Sequence, residues 1–299
     1  MTAASTSAPG RRPAYGNQIQ VFAPHRASLP PLGPYLRHYL SRMRFAFELA
    51  RTQEKAQHFD SPLGALWLIL NPMLLGIVYF LLVSVLQGGR GDWVFNLGRI
   101  LIGIFTWYYA QNAISFGSVS VTSAGGLVLN TAFPRALLPL SSTISAAFMY
   151  LPTIPVYLVF FLIGSNLDHR VPALPGLNWA MLWLPVLFVI MTVEVYGLAM
   201  LFATMTVYYR DTNKFLTYGL RIWLYLTPVL IPWERFHDHM WAVYLNPLGC
   251  VIGSITRIWT EGVPPDGVVL GVAVAWAVVC FVVGGWVFVS RERDFAVRI

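Results

Sequence analysis

The chain has 299 residues, of which 57% are hydrophobic, 15% aromatic and only 11% charged. Soluble domains carry roughly half apolar and about a quarter charged residues, so a water-soluble protein is excluded. The net charge of +7 has no folded polar domain on which to form a nucleic-acid patch; it reads as membrane orientation, and no nucleic-acid partner is expected.

In chain order, residues 1–34 hold Pro9, Pro13, Pro24, Pro30, Pro31 and Pro34 among small residues, the composition of a disordered tail. Arg11 and Arg12 precede Pro13, Ala14, Tyr15 and Gly16 rather than an apolar run, which excludes a signal peptide. From 35 to 60, apolar positions at helical spacing interleave with Arg42, Arg44, Arg51 and Lys55, predicting an amphipathic helix on the cytoplasmic membrane surface. An ordinary helix docked on protein is the alternative.

Residues 61–290 then form the transmembrane domain. Spans are expected over Leu63–Leu86, Leu97–Phe116, Leu137–Ile163 and Trp179–Val207, then from Phe215 to a break at Pro228 and Pro232, and last over Val268–Val289. Such long apolar runs exclude a transmembrane barrel, so the fold class is an all-α membrane protein, a six-transmembrane-helix bundle. Met240–Trp259 is a further apolar stretch, broken by Asn246, Pro247 and Gly249, and reads as an outer re-entrant helical hairpin after the fifth span. With residues 291–299 as a cytoplasmic tail, fifteen basic residues lie inside and five outside, so both termini are expected in the cytoplasm.

Catalytic chemistry has no foothold. The loop G-x-x-x-x-G-K-S/T needs a lysine after glycine, but the two lysines, Lys55 and Lys214, follow Glu54 and Asn213. No ATP site, and so no enzyme activity, is expected on this chain. His237 and His239 are one close pair on a loop, and Cys250 and Cys280 are packing thiols, so neither a metal site nor a disulfide framework is expected. Glu194 alone among the acids sits mid-span; a functional role and a structural hydrogen bond to a neighbouring helix both stay open.

Four stretches in order carry a family likeness. Ser61 to Trp67 with Asn71 and Pro72 resemble the S-x-L-G-x-L-W-x-x-x-N-P start of the first span in ABC-2 type permeases, particularly polysaccharide exporters. Phe133, Pro134, Arg135, Leu138, Pro139 and Leu140 resemble the family's F-P-R-x-x-x-P-L stretch. Tyr209, Arg210 and Asp211, with Thr227, Pro228 and Val229, are similar to its Y-R-D and T-P-V pair, and Asn246, Pro247, Leu248 and Arg257 to its N-P-L segment.

The resemblance implies a half-transporter in the bacterial inner membrane. It would pair with a second copy of itself and with two ATPase subunits that carry the ATP and Mg. The connection from about Ser123 to Arg135 would be a coupling helix seated on the ATPase, turned sharply at Gly125 and Gly126, with Phe133, Pro134, Arg135, Arg210 and Asp211 as coupling residues. The polysaccharide branch further implies an aromatic-lined conduit, for which Trp107, Tyr108, Tyr109, Tyr150, Trp223 and Tyr225 are candidates against plain core packing. Its cargo would be a lipid-linked polysaccharide whose anionic head group is drawn to Arg42, Arg44, Arg51 and Lys55, at about 1 kcal/mol per cation. The Arg-, Ala-, Val- and Gly-rich composition points to a high-GC bacterium, and the resemblance then implies a galactan or O-antigen type polymer. A drug, a small lipid or teichoic acid is the alternative cargo, and a proton-linked carrier would depend on Glu194.

Overall fold

The computed structural model describes residues 31–58, 64–86, 93–167, 178–231 and 233–299. The proline-rich tail up to residue 30, and Ser61 and Pro62 of the first motif, lie outside them. Among the described residues the chain forms helices and no strands. They are α1 (Leu32–Ser41), α2 (Met43–His58), α3 (Trp67–Leu86), α4 (Trp93–Ser123), α5 (Gly125–Asn130), α6 (Leu137–Tyr150), α7 (Thr153–Leu167), α8 (Trp183–Tyr208), α9 (Thr212–Leu226), α10 (Met240–Leu245), α11 (Gly249–Glu261), α12 (Gly267–Arg291) and α13 (Phe295–Arg298).

Four helical stretches among the described residues are long and apolar enough to cross a membrane: Trp67–Val85, Leu137–Val159, Trp179–Tyr208 and Gly267–Arg298. The expected second and fifth spans fall on α4 and α9, which do not meet both conditions. α4 has 31 residues but carries Arg99, Gln111, Asn112 and a serine-rich end. α9 has only 15 residues, about 22 Å of helix against a hydrocarbon core of about 30 Å.

α4 also runs past the expected end at Phe116, and the reason is local. Ser118 and Ser120 donate to the Ser115 and Gly117 carbonyls at 2.7 Å, and Thr122 to Val119 at 3.0 Å. These hydroxyls satisfy themselves on the preceding turn, so a polar run can continue as helix without unpaired hydroxyls. The third expected span, conversely, is two helices, α6 and α7, divided at Leu151 and Pro152.

α8 is the centre of the bundle, packed along α12 on one side and α4 on the other, and α4 packs in turn on α6. The α8–α12 crossing is backbone on backbone. A Cβ at Gly284 would stand 2.0 Å from the Gly197 carbonyl oxygen, and one at Gly197 would stand 2.3 Å from the Cys280 carbonyl carbon. Small residues that let backbones meet are how membrane helices gain close packing. Gly64, the glycine of the first motif, has φ 44°, a left-handed conformation that explains why glycine precedes α3.

The apolar stretch after α9 folds as α10 and α11, joined at Asn246–Leu248. α11 is almost wholly buried and packs on α4, α8 and α12, so its broken backbone is covered by protein, as an apolar environment requires. Residues 35–58 form two helices divided at Arg42 rather than one. One face is docked on protein, with Ala46 and Ala50 fully buried as α2 packs on α6. Another face exposes Leu36, Leu40 and Phe47.

Candidate functional site

The six aromatic candidates divide into two groups. Consecutive helical residues point about 100° apart, so Trp107, Tyr108 and Tyr109 cannot share one direction. Tyr108, Tyr109 and Tyr150 line a cavity of about 220 Å³ together with Trp67, Asn71 and Asn112. The first motif's Trp and Asn thus meet the second helix's tyrosines. Tyr109 and Tyr150 form the cavity's rigid wall: they stack with Phe188 at 5.0 and 5.7 Å, and the Tyr109 hydroxyl bonds Thr192 Oγ1 at 2.8 Å. Tyr108 and Trp67 are less buried. Aromatic faces beside two carboxamides can pack the C–H face of a polyol and hydrogen-bond its rim.

Trp107 and Trp223 lie in the core instead. Their rings meet edge to face at 6.2 Å, Trp107 donates to Gln111 Oε1 at 3.1 Å, and Trp223 donates to Asn246 Oδ1 at 2.7 Å. Tyr225 is exposed, its hydroxyl 3.0 Å from that of Tyr79. Glu194 is fully buried, and neither carboxylate oxygen has a hydrogen-bond partner among the described residues. Among the described residues no three His, Cys, Asp or Glu side chains form a group that could hold a metal.

At the other end of the bundle, the segment expected to couple to an ATPase is α5 and the turn after it. The chain breaks at Ala124 (φ −95°), not at the glycine pair; Gly125 and Gly126 both continue as helix without positive φ. The F-P-R turn is held from three sides. Phe133 meets Phe45 of α2 at 5.4 Å, Pro134 is buried, and the Arg135 amide and guanidinium donate to the Glu292 carboxylate and carbonyl. The next carbonyl, of Ala136, accepts from Tyr196 at 3.0 Å.

α1 reaches the same place through two tyrosines, Tyr35 donating to Glu292 Oε2 at 2.7 Å and Tyr39 bonding Tyr196 at 2.9 Å. Burial pushes both α1 hydroxyls up from the usual phenol range, for Tyr35 with the Glu292 charge adding to it. Both therefore stay protonated donors. Glu292 thereby joins α1, the F-P-R turn and the C-terminal tail. Sequence reasoning missed it because a glutamate within Arg291–Asp294 reads as one more solvated charge.

Glu292→Gln is expected to lower the melting temperature in detergent. An amide would present N–H to one of the two donors and leave a partly buried group unpaired, at about 1 kcal/mol. Tyr35→Phe, which removes one donor only, is expected to cost less; equal melting of all three proteins would refute the junction.

The remaining candidates are peripheral. Arg42, Arg44 and Arg51 are exposed, with Arg51 paired to Glu48 at 3.3 Å, while the Lys55 side chain lies outside the described ones. Asp211 is exposed and pairs with Lys214 at 3.1 Å; Arg210 is exposed beside it.

No family model matches the chain. Among curated proteins it is 27% identical over 213 residues to a Klebsiella pneumoniae protein named O-antigen export system permease protein RfbA, covering 70% of this chain and 77% of that one. A Myxococcus xanthus protein of the same name is 26% identical over 255 residues, covering 84% of this chain and 94% of the relative. The matches cover most of both partners' length, in agreement with the ordered motifs. The chain is thus a homologue of O-antigen export permeases, and its likeness to the ABC-2 type permeases of polysaccharide exporters holds.

Proposed function

We propose that this chain is the membrane permease subunit of an ABC exporter that moves a lipid-linked polysaccharide, of O-antigen or galactan type, out across a bacterial inner membrane. ATP and Mg would be handled by two separate ATPase subunits, and a second copy of the chain would complete the pathway. The observation that carries the reading is the cavity in which Trp67 and Asn71 face Tyr108, Tyr109 and Asn112. Its mixture of rings and carboxamides suits a sugar better than a wholly apolar drug. The names of the relatives support the same cargo class.

In this reading α3, α4, α6 with α7, α8, α9 and α12 are six spans. α4 needs little apolar surface of its own because its neighbours enclose most of it over Ile100–Ile114. α9 is short, and α10 and α11 return the chain to the side it leaves, which keeps both termini cytoplasmic and the basic excess inside. α1 and α2 lie at the inner surface, where Leu36, Leu40 and Phe47 enter the interface and Arg42, Arg44 and Arg51 meet anionic head groups. ATP-driven movement of the partner would reach the bundle through α5, the F-P-R turn and the Glu292 junction.

The test is ATP-dependent uptake of a labelled lipid-linked glycan into inverted vesicles that hold the chain and its ATPase. Uptake is expected to vanish when the partner's phosphate-loop lysine is replaced; persistence would end the exporter reading. Trp67→Ala or Tyr108→Ala is expected to lower uptake several-fold, matching the about 1 kcal/mol that a ring contact contributes. Tyr109→Phe should change it little, since only the bond to Thr192 is lost. Unchanged uptake in both alanine variants would remove the sugar role of the cavity.

A further inference from the structure

The break at Leu151 and Pro152 parts α7 from α8. α6 packs on α8, but past the break α7 packs on α3 and α4 and not along α8. α11 spans the gap: Trp259 meets the buried Tyr157 of α7 edge to face at 4.8 Å, and α11 also packs on α8. Between the three helices lies a cavity of about 390 Å³. Its floor is Tyr150, Ile255 and Trp259, all buried, and its mouth is Leu151 and Pro185, both exposed. No charged residue lines it, and the lining side chains carry nitrogen or oxygen only at Tyr150 and Trp259. Tyr150 also lines the cavity of Trp67 and Asn71, so its stack with Phe188 at 5.7 Å is one wall shared by two cavities of opposite character.

Most of the lining belongs to Leu137–Val159 and Trp179–Tyr208, two of the stretches long and apolar enough to cross a membrane. Pro185 at the mouth shares its side of the helix with the exposed Leu182, Val186 and Val189, so the cavity is continuous with the surface turned to lipid. Water is a poor occupant, since a cavity with so few polar partners stays dry. An unfilled void forfeits dispersion contacts along its whole lining. A helix is too thick, because one turn about 10 Å wide already exceeds the cavity's volume. A single hydrocarbon chain suits both the volume and the chemistry.

We propose that this cavity seats one acyl chain of a bilayer phospholipid, which backs the wall of Tyr150 and Phe188. With no charge in the lining to select a particular head group, the chain comes from the lipid that is most abundant around the mouth. The inference goes beyond the exporter reading and does not depend on it, because the lining alone selects the occupant.

The test uses the full chain in vesicles of phosphatidylethanolamine and phosphatidylglycerol with a trace of phosphatidylcholine carrying a diazirine near the end of one acyl chain. After photolysis, labelled peptides are mapped by mass spectrometry. The cavity residues are expected to take label at several-fold the density found on the exposed α12 face of Val274, Val278 and Val282, which boundary lipid wets. Leu184→Trp and Ile154→Phe fill the cavity from two different helices; each should lower the cavity label several-fold and leave the α12 label unchanged. Lipid-stripped wild type should regain several degrees of melting temperature on adding phospholipid, as a ligand of the folded state provides, and Leu184→Trp should regain less. Equal label density on the cavity and on α12, or cavity label undiminished in both variants, overturns the site. Label displaced by a polyprenyl phosphate but not by the same amount of phospholipid assigns the cavity to a cargo chain and also overturns it. None of these readouts involves an ATPase or uptake, so failure here leaves the exporter reading standing.

Discussion

Gly284→Val is expected to abolish recovery of a monodisperse, cooperatively melting protein, whereas Gly285→Ala is expected to leave yield and melting temperature unchanged. The two glycines are neighbours in α12, yet their surroundings differ. A Cβ at Gly284 would overlap the Gly197 carbonyl oxygen at 2.0 Å, whereas one at Gly285 would make an ordinary 3.6 Å contact with Met200 Cε. Overpacking against flexible side chains costs about 1–3 kcal/mol. Here the obstacle is backbone in the middle of α8, which no rotamer change can move, so the helices must separate along their length. α8 would also be pulled from α4, where a Cβ on Gly117 would stand only 2.5 Å from the Ala199 Cβ. Gly197→Ala is expected to act in the same direction. Size-exclusion profiles and thermal melts of the variants in one detergent decide the matter, and a well-behaved Gly284→Val protein would show that the close crossing is dispensable.

This tight crossing also limits where movement can occur. α4, α8 and α12 form a block with backbone contact on both sides of α8, so it is suited to move as a unit. The α3 surface differs: Leu74, Val78, Leu81, Leu82 and Val85 are exposed. The exposed face of α9 carries Phe215, Tyr218, Ile222 and Tyr225. These are two of the apolar faces open to lipid or to a second copy, α12 exposing another with Val274, Val278, Val282 and Trp286, and the cavity with Trp67 and Tyr108 lies next to α3. In the exporter reading, displacement of α3 and α9 against the fixed block would change the width of the path.

How much of this is legible in the sequence depends on whether the cause is local. The last apolar run, Val268–Val289, is α12 at Gly267–Arg291, because an uncharged run of about 20 residues interrupted only by glycines has no competing explanation. The run Trp179–Val207 likewise becomes α8 with a short 3-10 turn before it. The serine-rich end of α4 is not legible because a polar run carries no apolar periodicity, and its hydroxyls find their partners on the preceding turn only once the helix has formed. The division of the third span at Pro152 was hidden by its high average hydropathy.

In the candidate site, the Trp67 and Asn71 motif and the tyrosines of α4 were each visible, but not that they face one cavity while Trp107 turns toward Trp223. The Gly197–Gly284 crossing and the Glu292–Arg135 junction join residues 87 and 157 positions apart. Pairing of that kind is a property of the packed bundle, and no periodicity of one helix carries it.

The N-P-L motif shows the same lesson in its sharpest form. Asn246 looks like a helix breaker, yet its side chain makes four hydrogen bonds. Oδ1 accepts from Trp223 Nε1 at 2.7 Å and from the Leu248 amide at 3.2 Å, and Nδ2 donates to the Leu226 carbonyl and to Thr227 Oγ1, both at 3.0 Å. One buried carboxamide therefore ties the end of α9, the T-P-V break and the start of α11 together. Asn246→Leu is expected to cost about 3 kcal/mol or more, because the Trp223 indole N–H and the Leu226 carbonyl each lose a partner inside the protein. Asn246→Asp keeps the oxygen that accepts from Trp223 and Leu248 but turns a second carboxylate oxygen toward the Leu226 carbonyl, so it should be destabilising as well. The change should be visible locally, since Trp223 packs edge to face on Trp107 and its release alters the near-ultraviolet circular dichroism. If Asn246→Leu melts with the wild-type protein and keeps that spectrum, the motif is a turn and not a clamp. If it melts early with the spectrum changed, the break after α9 is held by this one side chain, and the geometry of the short helix beside the proposed pathway depends on it.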